Sequence, residues 1–411
     1  MSKGDRSMKK VVQVHWLLIS ALCAALACAP SETPQKTEAP APKPAKNIPV
    51  DEIFAYAGQQ LAKSVELVRD GDKFPFYAEN DGTWKTMDSS WWCSGFFAGC
   101  LWLMYEKTGD EVWKTHADKW TKGMEKEQYI KADADIGYRI INSYGNAYAA
   151  TGDNQYGKVV VKAAESLASR YSPKIGCVKA YDMDQWKFPI LIDHMMNIEL
   201  MFMGARMGGD PRWKDQAEQH GLNTIRTCIR PDGSSIQVVD LDPETGAKIK
   251  DDTLCGLSGD SAWSRGHGEG IYGMAIAYRE TRNPKFLDAF KVLADYYIAN
   301  VPADYVPYWD FKDPNIPNTI RDSSAASMTA DGLLEMCAQL PEGPDKAKYF
   351  ELAENILDSL CSNYLTKGTN RPGILDHGSF QTPEKMGADT SLIFGDYNFL
   401  SALKKYKAMK M

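Results

Sequence analysis

The sequence has little that would hold a metal ion and no excess of positive charge. Its nine cysteines include no CxxC pair, and no histidine is spaced to complete a zinc site with them. The formal net charge of -7 leaves no overall positive field to attract nucleic acid or an anionic membrane surface. We therefore expect no metal, no cofactor and no nucleic-acid partner, and we expect most of the cysteines to be buried thiols.

The longest apolar run lies near the N-terminus, from Val11 to Ala27, and follows a basic segment. This order is typical of an export signal rather than of a folded element. The residues Ala25-Leu26-Ala27-Cys28 resemble a bacterial lipoprotein cleavage site, which would make Cys28 the lipidated first residue of the mature protein. Ordinary signal cleavage and an uncleaved anchor are the alternatives.

The segment after this signal is rich in proline, alanine, lysine and threonine. Such a composition predicts a disordered tether. We therefore expect an export signal over 1–28, a tether over 29–47 and one folded domain over 48–411. This organisation predicts a periplasmic or outer-membrane lipoprotein of a Gram-negative bacterium, in contact with the membrane only through its lipid anchor.

Aromatic side chains are abundant, with 11 Trp and 20 Tyr in a chain that is 44% hydrophobic. A chain of this length and composition can build one large core and still have aromatic groups to spare. Spare aromatic groups often line sugar-binding clefts. For any single Trp or Tyr, filling of a helix interface is the alternative.

Helical periodicity recurs along the chain, and little of the sequence alternates as a strand does. We expect about twelve helices, near 51–70, 92–107, 110–127, 136–150, 155–171, 188–207, 211–228, 262–281, 284–301, 322–339, 345–364 and 388–407. Tight turns such as Gly109-Asp110 and Gly152-Asp153 separate paired helices, as a left-handed cap followed by an N-cap would.

Repeated helical hairpins of this kind favour an all-α fold, and six of them fit an (α/α)6 barrel. Longer linkers alternate with the tight turns and contain most of the Pro, Gly and Trp. These linkers are 172–187, 229–261, 302–320 and 365–387. In a closed ring of hairpins they would gather at one end and shape a cleft.

Asp193 is a single carboxylate within the apolar stretch Phe188-Pro189-Ile190-Leu191-Ile192-Asp193-His194-Met195-Met196-Asn197. Burial of an ionised carboxylate is costly unless the group is paired or takes up a proton, and a protonated carboxyl group can act as a general acid. Asp135 enters a second apolar run. Two such groups favour acid/base chemistry on a neutral or anionic small substrate. Helix capping by Asp135, and pairing of Asp193 with an Arg or Tyr, are the alternatives.

The segment Trp263-Ser264-Arg265-Gly266-His267-Gly268-Glu269 opens another predicted helix. Arg265 is suited to a forked contact with a carboxylate, and a structural ion pair is the alternative. His267 and Glu269 have no third ligand nearby, so they predict no metal site.

With these segments in order, the chain resembles glycoside hydrolase family 88, the unsaturated glucuronyl hydrolases, from about residue 50 to the C-terminus. The motifs are Trp92-Cys93-Ser94-Gly95-Phe96-Phe97-Ala98-Gly99, Ala134-Asp135-Ile136-Gly137-Tyr138, Ile192-Asp193-His194-Met195-Met196-Asn197, Ser261-Ala262-Trp263-Ser264-Arg265-Gly266, Arg321-Asp322-Ser323-Ser324-Ala325-Ala326 and Gly395-Asp396-Tyr397. The resemblance implies an (α/α)6 barrel that acts on oligosaccharides ending in a 4,5-unsaturated uronic acid, the product left by polysaccharide lyases.

The resemblance also implies roles for individual residues. Asp193 would be the general acid/base that protonates C4 of the sugar and assists attack on C5, after which the hemiketal opens and releases the rest of the chain. Asp135 would position the substrate or stabilise developing positive charge. Substrate contacts would come from Arg265, Gln237, Trp263, His267, Trp92 and Cys255.

The chain departs from the family pattern at several of these positions. Gln237 stands where the family usually has His, and Thr253-Leu254-Cys255-Gly256 lacks a Gln expected to touch the sugar. His267-Gly268-Glu269 replaces the usual Gln-Ala-Trp. Glu269 in place of Trp removes a stacking face and adds negative charge, which would disfavour a sulfated or acidic neighbouring group.

The leading prediction is a glycosidase that completes the breakdown of a lyase-treated glycosaminoglycan or related uronate polysaccharide, as a monomer or homodimer. Two alternatives stay open. The related unsaturated rhamnogalacturonyl hydrolases share the barrel and the chemistry but act on pectin fragments. The altered pocket is also compatible with a non-catalytic oligosaccharide-binding lipoprotein.

Overall fold

The computed structural model describes residues 46–69 and 71–410, and helices dominate this part of the chain. The helices are α1 (Val50–Leu67), α2 (Gly95–Thr108), α3 (Glu111–Gly123), α4 (Ile136–Ile140), α5 (Asn146–Thr151), α6 (Asn154–Ala168), α7 (His194–Asn197), α8 (Glu199–Arg206), α9 (Arg212–Cys228), α10 (Ser264–Thr281), α11 (Pro284–Asn300), α12 (Ser323–Cys337), α13 (Pro344–Asn363) and α14 (Ile393–Lys410). A π-helical turn, Ile141–Gly145, joins α4 to α5, and a 3₁₀ turn, Glu125–Tyr129, follows α3.

The predicted N-terminal signal over 1–28, with its lipidation at Cys28, lies outside the described residues, as does most of the tether predicted over 29–47. Across residues 46–69 and 71–410, every helix falls short of the length and apolar character that together make a membrane span.

Nine short strands occur in the described residues, and the expectation of little strand therefore understated them. The strands are β1 (Phe74–Ala78), β2 (Trp84–Met87), β3 (Tyr171–Ser172), β4 (Cys177–Val178), β5 (Phe188–Leu191), β6 (Val238–Leu241), β7 (Lys248–Asp252), β8 (Gly378–Gln381) and β9 (Met386–Thr390). They pair antiparallel as three hairpins and one sheet of order β5-β6-β7, in which Phe188 pairs with Leu241 and Leu191 with Val238. The fold is mostly helical, with small sheets.

The helix predicted over 188–207 was wrong at its beginning, where the chain forms β5 and then the short helices α7 and α8. All four side chains of β5 are buried. A short apolar run that is buried on both faces has no periodicity to separate strand from helix. Asp193 consequently lies at the N-terminal boundary of α7 rather than inside a long helix.

The predicted tight turns between paired helices are confirmed. Gly109 and Gly152 end α2 and α5, each with a φ of 70° that favours glycine. The following Asp110 and Asp153 accept a backbone N–H hydrogen bond from two residues further on, at 3.0 and 2.8 Å. These aspartates therefore cap α3 and α6 as expected.

The helices pack in a regular order along the chain. Helix α2 contacts the π-helical turn and α5, α4 contacts α7, α7 contacts α10, and α10 contacts α12. Helix α12 contacts α14, and α14 contacts α2. Helices α3, α9, α11 and α13 each pack against the helix before them. Every residue of α12 is buried, as expected of a helix enclosed on all sides.

The seven cysteines in the described residues are free thiols. Six of them are buried, and Cys361 is partly exposed. The prediction of mainly buried thiols is therefore confirmed for this part of the chain.

Gly137 brings α4 and α7 into close contact. A Cβ atom at this position would lie 2.5 Å from both the Cα atom and the carbonyl oxygen of Asn197. Across the same contact, the Tyr138 N–H donates a hydrogen bond to Asn197 Oδ1 at 2.7 Å. Packing therefore requires glycine here.

We expect Gly137→Ala to lower the free energy of unfolding by about 1–3 kcal/mol, because the added methyl group overpacks the contact with Asn197. Urea unfolding measures the change. Gly58→Ala is the matched control within a helix, since its nearest contact, 3.1 Å, is the flexible end of Met104. An equal loss of stability in the two variants would contradict the packing role of Gly137.

Candidate active site

A cavity of about 410 Å³ lies where several of the inter-helix linkers meet. Its lining residues are Ser90, Trp91, Trp92, Ala132, Asp133, Asp135, Tyr138, Arg139, Tyr181, Asp182, Met183, Asp193, Gln237, Leu254, Cys255, Trp263, Arg265, Glu269, Phe380 and Gln381. The linkers 172–187, 229–261 and 365–387 contribute to this wall, whereas 302–320 does not. The expectation that the longer linkers shape one cleft is therefore met by three of the four.

The structure brings together seven of the residues that the sequence analysis singled out for catalysis or substrate contact. They are Asp193, Asp135, Arg265, Gln237, Trp263, Trp92 and Cys255. These residues come from six separated parts of the chain, with only Trp263 and Arg265 close in sequence, so the fold brings the parts together.

His267 is the exception, because the structure places it outside the cavity. Its Nε2 lies 2.9 Å from the Leu293 carbonyl oxygen, and its Nδ1 lies 3.2 Å from Ser235 Oγ. Arg265 and Glu269 are four residues apart on α10 and share the face toward the cavity, so the residue midway between them points elsewhere. The structure therefore gives no support to the predicted substrate contact from His267.

Asp193 presents a buried carboxyl group to the cavity. The residue is 8% exposed, and its Oδ1 has no hydrogen-bond partner among the described residues. The Tyr138 hydroxyl donates to the Asp193 backbone oxygen at 3.1 Å, which holds the main chain. Burial, together with the charge of Asp135, raises the pKa of Asp193 to about 6. Asp193 therefore keeps its proton to a higher pH than an ordinary aspartate.

Asp135 lies just before α4, and its carboxylate is well supported. The Tyr181 hydroxyl donates to its Oδ2 at 2.8 Å, and Asn197 Nδ2 donates to its Oδ1 at 3.1 Å. Burial raises the pKa of Asp135, but His194, Arg139 and Tyr181 outweigh burial and leave the pKa below its usual value. Its side chain makes no capping bond to α4, so the alternative role as a helix cap was wrong.

His194 follows Asp193 in the chain and approaches Asp135 in space. Its Nε2 lies 3.4 Å from Asp135 Oδ1, and the Tyr181 ring packs edge-on against the imidazole with centroids 5.2 Å apart. Burial lowers the pKa of His194, but Asp135 and Asp193 outweigh burial and raise it above the usual value. A protonated His194 favours the ionised form of Asp135. The sequence shows the position of His194 next to Asp193 but not its long-range approach to Asp135.

Arg265 lies at the inner end of the cavity, enclosed by aromatic rings. Its guanidinium carbon is 4.3 Å from the ring centre of Trp263 and 4.6 Å from that of Phe394. Its Nη2 donates to the Phe380 carbonyl oxygen at 3.2 Å, while its Nε is buried without a partner in the part of the chain that the structure describes. A buried N–H without a partner beside a cavity is suited to bind an anionic group of a ligand.

Glu269 lies one helical turn beyond Arg265. The Arg265 Nη1 and the Glu269 Oε1 are 3.7 Å apart, and the Glu269 Oε2 is buried without a partner among residues 46–69 and 71–410. Burial raises the pKa of Glu269 well above its usual range, against the opposing effect of Arg265. The structure therefore favours a neutral carboxyl group where the sequence analysis expected a negative charge.

Gln237 and Cys255 lie in one wall of the cavity. Gln237 Oε1 accepts hydrogen bonds from the N–H groups of Leu254 and Cys255 at 2.8 and 2.9 Å. The Leu254 carbonyl oxygen in turn accepts from Gln381 Nε2 at 3.0 Å, which ties two linkers together. Burial raises the pKa of Cys255 to about 12, so its thiol stays neutral. Gln237 thus holds the wall in shape as well as lining it.

The sequence analysis missed several lining residues. Arg139 donates from Nη2 to Asp133 Oδ1 and from Nη1 to the Ser90 carbonyl oxygen, both at 2.7 Å. Arg139 follows the Asp135 motif directly, so that position marks it for attention. Tyr181 and Phe380 carry no such local signal, because they reach the cavity from separate linkers.

The site combines an acid–base pair with an aromatic and cationic wall. Two buried carboxyl groups have pKa values displaced in opposite directions, an arrangement that assigns acid and base roles. In residues 46–69 and 71–410, no three His, Cys, Asp or Glu side chains are grouped to hold a metal ion. Aromatic rings and an arginine are suited to a ring-shaped anionic ligand such as a sugar acid.

Comparison with known proteins gives specific relatives, although no protein-family model matches the chain. The chain is 37% identical over 321 residues to an unsaturated glucuronyl hydrolase of Formosa agariphila, spanning 76% of this chain and 79% of that protein. It is 33% identical over 359 residues to an unsaturated chondroitin disaccharide hydrolase of Streptococcus pyogenes, spanning 84% and 88%. A solved unsaturated glucuronyl hydrolase specific for heparin superimposes with a TM-score of 0.84 at 34% identity, covering 88% of this chain and 97% of that one.

The relatives with this mostly helical fold are glycosidases, which confirms the predicted class of enzyme. The relatives place the chain within that class. It belongs to the unsaturated glucuronyl hydrolases, glycoside hydrolase family 88, and the resemblance carried by the six motifs is confirmed.

We expect His194→Gln to change the dependence of stability on pH. The folded-state pKa of His194 lies above the unfolded value of about 6.5, so its contribution is complete below that pH and is lost as the pH rises through the folded-state pKa. The variant has no such loss. The stability difference between wild type and variant should therefore shrink as the pH rises above the unfolded-state value of about 6.5, as measured by chemical unfolding.

His220→Gln is the matched control, because His220 is equally buried but its pKa is lowered to about 3 by burial. The Val178 N–H donates to its Nδ1 at 3.0 Å, which keeps the ring in place. A histidine that stays neutral in the folded state contributes a constant amount above about pH 7. A constant difference for His194→Gln as well would contradict a charged His194.

Proposed function

We propose that this enzyme releases a 4,5-unsaturated uronic acid from the non-reducing end of glycosaminoglycan fragments, with Asp193 as general acid/base and Asp135 as a stabilising carboxylate. The main support is that two buried carboxyl groups in one cavity have pKa values shifted in opposite directions. The pKa of Asp193 is raised to about 6, and the pKa of Asp135 is lowered. Asp193 can supply a proton while Asp135 stays ionised, and proton delivery to a carbon atom needs both.

In this mechanism Asp193 donates its proton to C4, and the C4=C5 double bond of the sugar is consumed. Positive charge develops at C5 and the ring oxygen, where the Asp135 carboxylate stabilises it. The Asp193 carboxylate then accepts a proton from the water molecule that attacks C5. The resulting hemiketal opens and the rest of the chain leaves. Because this is addition to an alkene, the separation of the two carboxyl groups does not report on a retaining or inverting outcome.

Arg265 is the group we assign to the carboxylate of the uronate. Its unpartnered Nε lies in the cavity wall with Trp92 and Trp263, whose rings flank the guanidinium at 5.5 and 4.3 Å. A cation held between rings is pre-organised, so little freedom is lost when it binds an anion. The same indole rings offer apolar faces to the sugar.

The packing order of the helices supports an (α/α)6 barrel. Helix α10 contacts α12, α12 contacts α14, and α14 contacts α2, so the last helix returns to the first part of the ring. The shorter helices α4, α5, α7 and α8 lie between α2 and α10 along the chain. We propose that six helical hairpins close into one ring over 48–411. In such a ring the linkers at one end would carry the catalytic groups.

The named activities of relatives support the substrate class. The Streptococcus pyogenes relative is an unsaturated chondroitin disaccharide hydrolase, and the solved neighbour is specific for heparin. Both names refer to glycosaminoglycan fragments, which supports these over pectin fragments for this chain.

We also propose that the protein is exported and anchored by a lipid on Cys28, as a periplasmic or outer-membrane lipoprotein. The support is the sequence pattern of Val11 to Cys28 and the Pro-rich segment after it. The tether would place the catalytic domain away from the membrane surface, where soluble fragments reach it. The domain would act as a monomer or homodimer.

The test is loss of the ultraviolet absorbance of the conjugated double bond when the domain, residues 48–411, meets unsaturated disaccharides of chondroitin, heparin, pectin and ulvan. We expect loss with a glycosaminoglycan disaccharide. Asp193→Asn should lower kcat by about 10²–10⁴-fold, because a side-chain amide is too weak an acid to protonate C4. Activity should also fall as the pH rises above about 6, where Asp193 loses its proton.

Asp288→Asn is the matched control, since Asp288 is exposed on α11 and far from the cavity lining. It should keep wild-type turnover. Full turnover by Asp193→Asn would refute its catalytic role. Turnover confined to the pectin disaccharide would favour the rhamnogalacturonyl alternative, and binding without turnover by the wild type would favour a carbohydrate-binding role.

A further inference from the structure

Glu269 is a buried acid that the mechanism does not use. The residue is 1% exposed, yet it lines the cavity together with Asp193 and Arg265. Its Oε1 is 3.7 Å from Arg265 Nη1, and its Oε2 has no partner among the described residues. A buried polar atom without a partner is costly, so its presence at a binding cavity needs a reason.

The other groups that line the cavity leave no cation free for an additional anion. Among the described residues, the cationic side chains that line the cavity are Arg139 and Arg265. Arg139 is held by Asp133 at 2.7 Å, and Arg265 is assigned to the uronate carboxylate. Five lining residues are acidic: Asp133, Asp135, Asp182, Asp193 and Glu269. A second negative group on the bound sugar would therefore be buried without a counter-charge, which is expensive.

The position of Glu269 shows which sugar it meets, given the proposed function on which this inference rests. Arg265 and Glu269, 2% and 1% exposed, are among the least exposed of all the lining residues, whereas Asp182 and Met183 are exposed at the rim. The terminal unsaturated uronate must reach Asp193 with its double bond, so it fills the inner part of the cavity. The rest of the oligosaccharide points toward the rim. Glu269 therefore faces the terminal uronate.

We propose that Glu269 is a specificity-determining residue, which hydrogen-bonds a ring hydroxyl of the terminal unsaturated uronate and so selects fragments that carry no sulfate ester on that sugar.

A neutral carboxyl group suits this contact, because it offers one donor and one acceptor, as a hydroxyl group does. Burial raises the pKa of Glu269 well above its usual range and so favours the neutral form. A sulfate ester in place of the hydroxyl has no proton to donate and brings a permanent charge. Sites built to bond a hydroxyl reject ligands that leave their buried polar groups unpaired.

The experiment compares the unsaturated heparin-type disaccharide without sulfate with the one sulfated at O2 of the unsaturated uronate. Both are assayed by loss of ultraviolet absorbance with the wild type, Glu269→Gln and Glu269→Ala. The glutamine side chain keeps the shape and offers a donor and an acceptor at any pH, whereas alanine removes both. Glu52→Gln, on the exposed face of α1, is the control for a neutral substitution elsewhere.

We expect the wild type to prefer the unsulfated disaccharide by about tenfold or more in kcat/KM. Glu269→Gln should keep that preference. Glu269→Ala should raise KM for the unsulfated disaccharide by about 3–10-fold with little change in kcat, and should reduce the preference by a similar factor. Thermal unfolding of each variant identifies any loss that comes from misfolding, and Glu269→Leu, which removes the polar groups but keeps most of the volume, takes the place of alanine if the smaller side chain unfolds the domain.

Equal turnover of the two disaccharides by the wild type would overturn the inference while leaving the proposed function intact. An unchanged KM and preference in a folded Glu269→Ala variant would overturn it as well. A wild type that consumes neither these nor any other unsaturated disaccharide would instead refute the proposed function itself.

Discussion

The contact between α4 and α7 holds the two aspartates of the site in one place. Gly137 lets the helices approach, and Asn197 uses both ends of its amide across the gap. It accepts from the Tyr138 N–H at 2.7 Å and donates to Asp135 at 3.1 Å. Because α7 begins directly after Asp193, the same contact sets the positions of both carboxyl groups. A loss of this packing would disturb the whole acid–base pair.

The opposite behaviour of the two aspartates follows from what surrounds each one. Both are buried, which alone would raise both pKa values. Asp135 receives hydrogen bonds from Tyr181 and Asn197 and lies near the imidazole of His194. The carboxyl group of Asp193 receives no such bonds within the described residues. Asp193 keeps its proton and Asp135 stays ionised because hydrogen-bond donors surround Asp135 and not Asp193. The two residues do not differ in whether they are buried.

The sequence predicted those parts of the fold that depend on residues adjacent in the chain. The Gly109-Asp110 and Gly152-Asp153 turns depend only on adjacent residues, and the structure has both. Residues 188–191 became a strand because they pair with β6, some fifty positions away. Five of the seven predicted residues in the cavity came from the family motifs, and Gln237 and Cys255 came from positions that depart from the family pattern. His267 lies outside the cavity because the period of α10 turns it away. Tyr181 and Phe380 were missed because only the tertiary fold brings them there.

The enclosed inner end of the cavity, formed by Arg265 and Glu269, has a consequence for the order of events in one catalytic cycle. Because Arg265 and Glu269 enclose that end, the cavity admits the end of a chain and does not thread its middle. After cleavage the free sugar lies behind the shortened oligosaccharide, so the oligosaccharide must depart first and the monosaccharide second. Only the end left by a lyase carries the unsaturated sugar, so the shortened oligosaccharide has no second one to offer, and each oligosaccharide takes part in a single catalytic cycle.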